Sequence, residues 1–369
     1  MGNAPLTIID LTTKKGAIVA PRRQPSTLRD VARLAGVSPA TVSNVMQNHP
    51  RVADATRKRV QDAARALQYE PNPLARSLRS GRTGTIALIT PGLQNAYFAE
   101  LATELIRTAN AYNRRISVEV LDGDRQREES ILTGTWTSFA DGILYIPQKL
   151  TGREIDYVLD SRAGRRPPVV LLGERGAGAD CAQVTYRNSD ASQAAVKLLL
   201  DGGAKRVVAI GPHERAGSAT PRLEGYTAAL KQAGIPLRPE LIRETPTWHR
   251  SAGMEAVSEL LAEGVEFDAV FAFNDMIALG AMAALANAGL RVPDDVQVVG
   301  FDDVEESNFS VPALSTIDPG KAEAAQLALE LLDAILAGTE PTNRQIFPDF
   351  SVVARGTTLA SPNRSHAHD

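Results

Sequence analysis

Apolar positions between Thr27 and Tyr69 recur at helical spacing in three short runs. Leu28, Val31, Ala32 and Ala35 give a first helix one apolar face, and Thr27 with Asp30 three residues on supplies a capping-box start. Gly36 stops this helix in the left-handed conformation open to glycine, Ser38 caps the next, and Pro39 suits its first position, where no amide hydrogen is needed. The second run buries Val42, Val45 and Met46 and leaves Pro39, Ala40, Thr41, Ser43 and Asn44 outward. A third run, Val52 to Tyr69, places Val60, Ala63, Ala64 and Leu67 on one face and Arg57, Lys58, Arg59 and Arg65 largely off it. Two helices meeting at so sharp a turn, with a third closing their core, form the unit in which the second helix meets base edges. Pro71 to Thr83 then carries Leu74, Ala75 and Leu78 on one side of a helix of barely two turns, which is marginal alone.

Beyond Thr83 the pattern changes to short apolar runs alternating with helical stretches. Strands are predicted at Thr85 to Thr90, Ile116 to Leu121, Gly142 to Ile146 and Val169 to Leu172, with a helix from Phe98 to Tyr112. A second series follows: helices at Ser192 to Leu200, Leu223 to Gln232, Ala252 to Glu263 and Ile277 to Ala288, and strands at Arg206 to Ile210, Ala269 to Ala272 and Gln297 to Gly300. Alternation of this kind predicts two doubly wound parallel sheets with helices on their faces.

Charge divides the chain at the same point. Residues 1–83 hold 14 Lys and Arg against 5 Asp and Glu, whereas the remainder holds 26 against 38, so a formal net charge of −3 conceals a basic arm and an acidic body. The arm can neutralise phosphates. With 369 residues and 43% hydrophobic content the chain can bury a sizeable core. No apolar run approaches the roughly 18 residues of a membrane span, and the first 25 residues lack signal-peptide order, so a cytoplasmic location is expected. Cys181 is the single cysteine, which excludes an intramolecular disulfide.

The run Thr27 to Thr83 resembles the lactose-repressor (LacI/GalR) family of bacterial transcription regulators. The likeness continues through R-L-E-G-Y from Arg222, F-A-F-N-D-M from Phe271, V-V-G-F-D-D ending at Asp303, and R-G-T-T from Arg355. It implies an all-α helix-turn-helix headpiece plus an α/β two-lobed effector domain like the periplasmic sugar-binding proteins, its lobes joined by crossing strands near Tyr186, Thr316 and Phe347. The implied divisions are an extension without fixed structure at 1–25, the headpiece at 26–70, a hinge helix at 71–83, an effector domain at 84–360 and a flexible tail at 361–369. Within the effector domain the first subdomain takes about 84–186 and 317–346, the second about 187–315 and 347–360. The resemblance also implies a homodimer on a palindromic double-stranded DNA operator, controlled by a small-molecule effector, a sugar first and a purine or nucleoside second. Neither cofactor nor membrane is implied. DNA contacts are expected from Thr27, Ser38, Pro39, Ala40, Thr41, Ser43 and Asn44 in the headpiece and from Asn72, Ala75, Arg76 and Leu78 in the hinge. Leu78 matches the leucine that wedges between two base pairs and kinks the duplex, an unstacking that costs on the order of a few kcal/mol.

Effector contacts are carried over to Tyr97, Phe98, Arg222, Trp248, Asn274 and Asp275. Arg222 matches an arginine that forks onto ligand oxygens. Asp275 matches an acid able to accept two hydrogen bonds from neighbouring sugar hydroxyls, although Asn274 or Asp275 would serve equally as a helix N-cap. Asp302 and Asp303 are assigned to a strand-end turn. Departures bear on specificity: Asn44 stands where many relatives have arginine, and asparagine prefers adenine, while Pro319 occupies a place often held by a ligand-touching glutamine. The tail holds no leucine heptad, so a dimer rather than a tetramer is expected. A phosphate-binding glycine loop, a G-x-S-x-G elbow and an H-E-x-x-H pair are all missing, His213 and His249 are isolated, and His366 and His368 fall in the tail, so an enzyme is not expected. The competing readings are a sugar-binding protein for uptake and an enzyme with an appended DNA-binding arm.

Overall fold

Thr27 starts α1 (Leu28–Ala35) through a reciprocal cap, its hydroxyl accepting the Asp30 N–H at 3.3 Å while the Asp30 carboxylate accepts the Thr27 N–H at 3.0 Å. Gly36 ends the helix at φ +62°. Ser38 Oγ then accepts the Thr41 N–H at 3.1 Å and begins α2 (Pro39–Met46), and α3 (Asp54–Ala66) closes a core of Val31, Ala32, Val42, Val45, Val60 and Ala63. Met46, expected in this core, is half-buried at its edge.

The computed structural model describes residues 26–46, 49–69, 82–134, 139–162, 166–212 and 217–359. The expected hinge contacts Asn72, Ala75, Arg76 and Leu78, the N-terminal extension, His213 and the tail lie outside these residues. The chain divides into two folding units, Met1–Gly81 and Arg82–Asp369.

In the second unit, strands β1 (Thr85–Thr90), β2 (Arg115–Val120), β3 (Gly142–Tyr145), β4 (Val169–Leu172) and β5 (Ala182–Val184) form a parallel sheet. Their order is β5-β4-β3-β1-β2, with a late strand, Gln345–Ile346, added beside β5. Both faces of the central strands are covered, which is why β1, β3 and β4 read as largely apolar runs, whereas edge strand β2 alternates. Ile86 and Leu88 of β1 pack with Leu101 and Leu105 of α4 (Ala96–Ala111). Ala87 and Ile89 pack on the other side with Leu121, Ile131 and Ile155. A helix far along the chain, Lys321–Leu336, completes the first face through Ala325, Leu329 and Leu332.

The second lobe repeats the plan. Strands β6 (Val207–Pro212), β7 (Ile242–Thr245), β8 (Ala269–Ala272) and β9 (Gln297–Val299) run parallel in the order β7-β6-β8-β9. Helices Asn188–Asp201 and Ala219–Gln232 cover one face; Arg250–Ala262 and Asp275–Asn287 cover the other. The apolar pattern does not mark β7, because an edge strand with half-exposed Ile242 and Arg243 needs no apolar run. The chain crosses between lobes at 185–187, 318–320 and 347–350, where β10 (Thr316–Asp318) pairs antiparallel with Ser351–Val353. No helix among the described residues is long and apolar enough to cross a membrane.

Candidate functional site

On the headpiece, Val42 and Val45 anchor α2, and the opposite side of its first two turns faces solvent. Ser38, Pro39, Ala40 and Asn44 are exposed, Thr41 and Ser43 half-buried. Thr41 is drawn inward by the cap, since its hydroxyl lies 2.9 Å from Ser38 Oγ. Thr27 is exposed, but its hydroxyl is engaged by Asp30 at 2.7 Å. Asn44 carries the outward amide of this face, one donor and one acceptor side by side, the pattern that matches the major-groove edge of adenine.

In the second unit a cavity of about 520 Å³ opens between the lobes. Its walls come from residues that follow strands: Pro91 after β1, Pro147 after β3, Glu174 after β4, Tyr186 after β5, Trp248 after β7, Asn274 after β8 and Asp302 after β9. This is the crevice at the carboxyl ends of parallel strands, where doubly wound folds place their ligands. The cavity brings together Tyr97, Phe98, Arg222, Trp248 and Asn274 of the expected contacts. Tyr97 and Phe98 open α4, where Asn95 Oδ1 accepts the Tyr97 N–H at 3.0 Å. Their rings meet edge to face at 5.2 Å, and Tyr186 joins them at 6.3 Å from Tyr97. The Tyr186 hydroxyl is buried beside Tyr97.

Arg222 is the hub of the second-lobe wall. Its Nε donates to Asn188 Oδ1 at 2.8 Å, one terminal nitrogen donates to the Phe273 carbonyl, and the other stands 3.5 Å from Asp302 Oδ1. The guanidinium lies 3.6 Å above the Phe301 ring centroid and 5.7 Å from that of Trp248. A buried arginine held this way presents a fixed fork of donors. Asn188 passes the chain of bonds on, its Nδ2 donating at 2.6 Å to Glu174, which also accepts the Tyr186 N–H at 3.1 Å. Burial pushes the Asp302 carboxyl up to about 6 against the pull of Arg222 and Lys321, and burial likewise raises Glu174.

Asp275 is placed differently from the other five expected contacts. Instead of lining the cavity it is fully buried beneath it, where Oδ1 accepts the Thr316 hydroxyl at 2.5 Å and Oδ2 accepts the Ser307 hydroxyl at 2.8 Å and the Val304 N–H at 3.0 Å. With three protein donors on it, this carboxylate pins the Asp302 turn to β10. Burial, followed by the nearby Asp302, pushes its pKa up to about 7. Gly300 is required at its side, since a Cβ there would lie 2.2 Å from Asp275 Oδ1. Asn274 serves as the N-cap, accepting the Ile277 N–H at 2.8 Å, and also reaches the cavity wall. The acid that faces the cavity is Asp302, which the sequence assigned to the turn alone. The turn reading accounts for its φ of +117°, and only the fold aims its carboxylate at Arg222. Glu174 was missed as well, because a lone acid after a strand carries no motif.

The headpiece matches the model of bacterial regulatory proteins of the lacI family over residues 27–72, and the body matches a periplasmic binding protein-like domain over residues 196–358. Catabolite control protein A of Priestia megaterium is 32% identical over 83% of this chain and 91% of that protein. The ribose operon repressor of Escherichia coli (strain K12) is 33% identical over 87% and 95%. The lac repressor dimer bound to operator and the anti-inducer ONPF superposes with a TM-score of 0.79 at 25% identity, covering 91% of this chain and 100% of that one. The headpiece geometry, the two-lobed body and these likenesses agree: the chain belongs to the lacI family of bacterial regulatory proteins and is a DNA-binding transcription regulator.

Proposed function

We propose that this protein is a homodimeric repressor that reads a palindromic operator with α2 of each headpiece and is controlled by a hydroxyl-rich small molecule, a sugar before all, held between the lobes. The observation that carries the reading is the Arg222–Asp302 pair at 3.5 Å inside the aromatic-lined cavity. A sugar hydroxyl both donates and accepts, so a fork of donors beside a carboxylate can bond neighbouring hydroxyls while Tyr97, Phe98 and Trp248 cover the C–H faces. Among the relatives, one carries ribose in its name and another is seen with operator and anti-inducer together. The same three rings would also stack on a purine, which keeps a nucleoside as the second reading. The ligand is bound and released unchanged, and the protein acts in the cytoplasm, where its operator lies.

Dimerisation is supported by apolar side chains left in water: Phe309 is 75% and Val311 95% exposed, beside Met254 on the helix that Arg250 ties to Glu306 at 3.0 Å. In the hinge, Leu78 is the proposed wedge, with Asn72, Ala75 and Arg76 as its groove-facing companions. The reading is tested by affinity selection of genomic fragments on the purified chain at physiological salt, repeated with sugars and nucleosides. A short palindrome whose enrichment one compound class removes or deepens supports it. Tight sugar binding with no enriched sequence under any condition favours a binding protein instead.

Asn44 gives a sharper prediction. Asn44→Arg is expected to move the preferred base at one position of each half-site from adenine to guanine, with discrimination of about 1–3 kcal/mol. Selection from an operator library randomised at single positions reads this directly, and an unchanged preference at every position would place Asn44 off the bases.

A further inference from the structure

The turn that carries Asp302 is gripped from behind by a cation that also reaches the other lobe. Lys321 opens the helix Lys321–Leu336, just past the crossing at 318–320. Its ammonium donates to the main-chain oxygens of Asp302 and of Asp303, the latter at 2.9 Å, and stands 3.2 Å from Glu100 Oε2. Glu100 lies on α4, two residues beyond Phe98, and its other oxygen accepts the Glu305 N–H at 2.7 Å. One carboxylate of the first lobe therefore holds the ligand turn of the second lobe at two points, directly at Glu305 and through Lys321 at Asp302 and Asp303.

That turn needs holding. Asp302 and Asp303 have φ of +117° and +47°, conformations that residues with a Cβ keep only where their surroundings impose them. Arg355, 2.6 Å from the Asp303 carboxylate, braces the same turn from within the second lobe. The Lys321 side chain is 11% exposed and that of Glu100 28%, so water screens this pair far less than it screens Arg107 and Glu104 on the same helix, where Arg107 is 69% exposed. The helix that starts with the cavity rings Tyr97 and Phe98 is thus bonded to the backbone of the cavity acid.

We propose that Glu100 and Lys321 are positioning residues that couple Asp302 to α4, so that occupancy at Asp302 alters how the lobes are held and, through that, operator affinity. The inference rests on the cavity being the effector site. Because the grip itself sets how the lobes are held in the ligand-free protein, disturbing the pair shifts that balance and changes operator binding even without ligand.

The test uses the full chain and the operator fragment recovered by selection, with Glu100→Ala, Lys321→Met and the double variant. Each single variant is expected to change ligand-free operator affinity by about fivefold or more, with the double no further from wild type than the larger single, as for two residues acting through one contact. Hydrogen exchange of the segment holding Glu305 should accelerate in Glu100→Ala. Arg107→Ala serves as the surface-pair control and is expected to stay within about twofold of wild type. Single effects within about twofold, or effects that multiply in the double, overturn the proposal. Should Glu100→Ala unfold, Glu100→Gln decides: it keeps an acceptor for the Glu305 N–H, so that amide stays protected while the operator effect persists, and wild-type operator affinity in this variant overturns the coupling. Exchange reports the positioning whether or not the cavity binds effector. Faster exchange with unchanged operator affinity therefore sinks this coupling alone, whereas a site elsewhere would show as effector binding indifferent to Asp302.

Discussion

Asp302→Asn is expected to weaken effector binding about a hundredfold, ~2.7 kcal/mol, while ligand-free operator affinity stays within about twofold of wild type. Hydrogen bonds to a charged group contribute roughly 1.5–3 kcal/mol each, and the substitution removes the charge while keeping the shape. The rest of the wall is independently held: Arg222 keeps Asn188 and the Phe273 carbonyl, and Lys321 bonds the main chain of residue 302, which the substitution leaves in place. Calorimetric titration with the effector and fluorescence anisotropy on the operator separate the two quantities. Effector affinity equal to wild type would move the ligand away from the Arg222–Asp302 pair.

Asp275→Ala is expected to behave differently, as a defect of folding and not of ligand binding. It strands the Thr316 and Ser307 hydroxyls and the Val304 N–H in a buried site. Buried unpaired donors cost about 1–3 kcal/mol each, less where a hydroxyl can turn, so a loss of about 3–5 kcal/mol follows, comparable to breaking a buried ionic contact. For a unit of this size that is a fall in Tm of roughly 10 °C, read by calorimetry of the whole chain. The sign of the pH dependence gives a second readout. The Asp275 carboxyl rises from 3.8 unfolded to about 7 folded, so its contribution to stability is complete below about pH 4 and is lost as pH climbs through 7. Wild-type Tm should therefore fall between about pH 4 and 7, and less steeply in the variant, where Asp302 and Glu174 remain as buried acids with raised pKa. Full stability together with abolished effector response would return Asp275 to the ligand.

The difference between these two carboxylates marks how far the primary structure reaches. Helical periodicity, the Thr27–Asp30 cap, Gly36 and Ser38-Pro39 sufficed to define the headpiece, because each acts within one turn of the chain and its physics is local. The short apolar strands were legible for a related reason: a parallel strand covered on both faces has no polar side to show. Edge strand β7, half exposed, had no such signature.

The cavity was legible only in part. Arg222 and Asn274 sit in recognisable blocks, the rings at Tyr97, Phe98 and Trp248 lie after strands, and the fold gathers all five at the cavity. Which acid joins them could not be read from N-D or G-F-D-D alone. Both motifs end a strand with a carboxylate, and the local backbone direction decides whether it faces the cavity or the protein interior. The positive φ of Asp302 turns its side chain toward Arg222, while the start of the helix at Asp275 directs that carboxylate under the turn, onto Thr316 and Ser307. The sequence by itself determined the headpiece helices, the apolar strands and most of the helices between them, the charge division and the family blocks, since those depend on neighbours a few residues apart. The tertiary structure decided that Asp302 and Glu174, and not Asp275, face the cavity, and it made the Glu100–Lys321 grip. Their partners lie tens to hundreds of residues away, and only packing within the second lobe and between the two lobes brings them within hydrogen-bonding range.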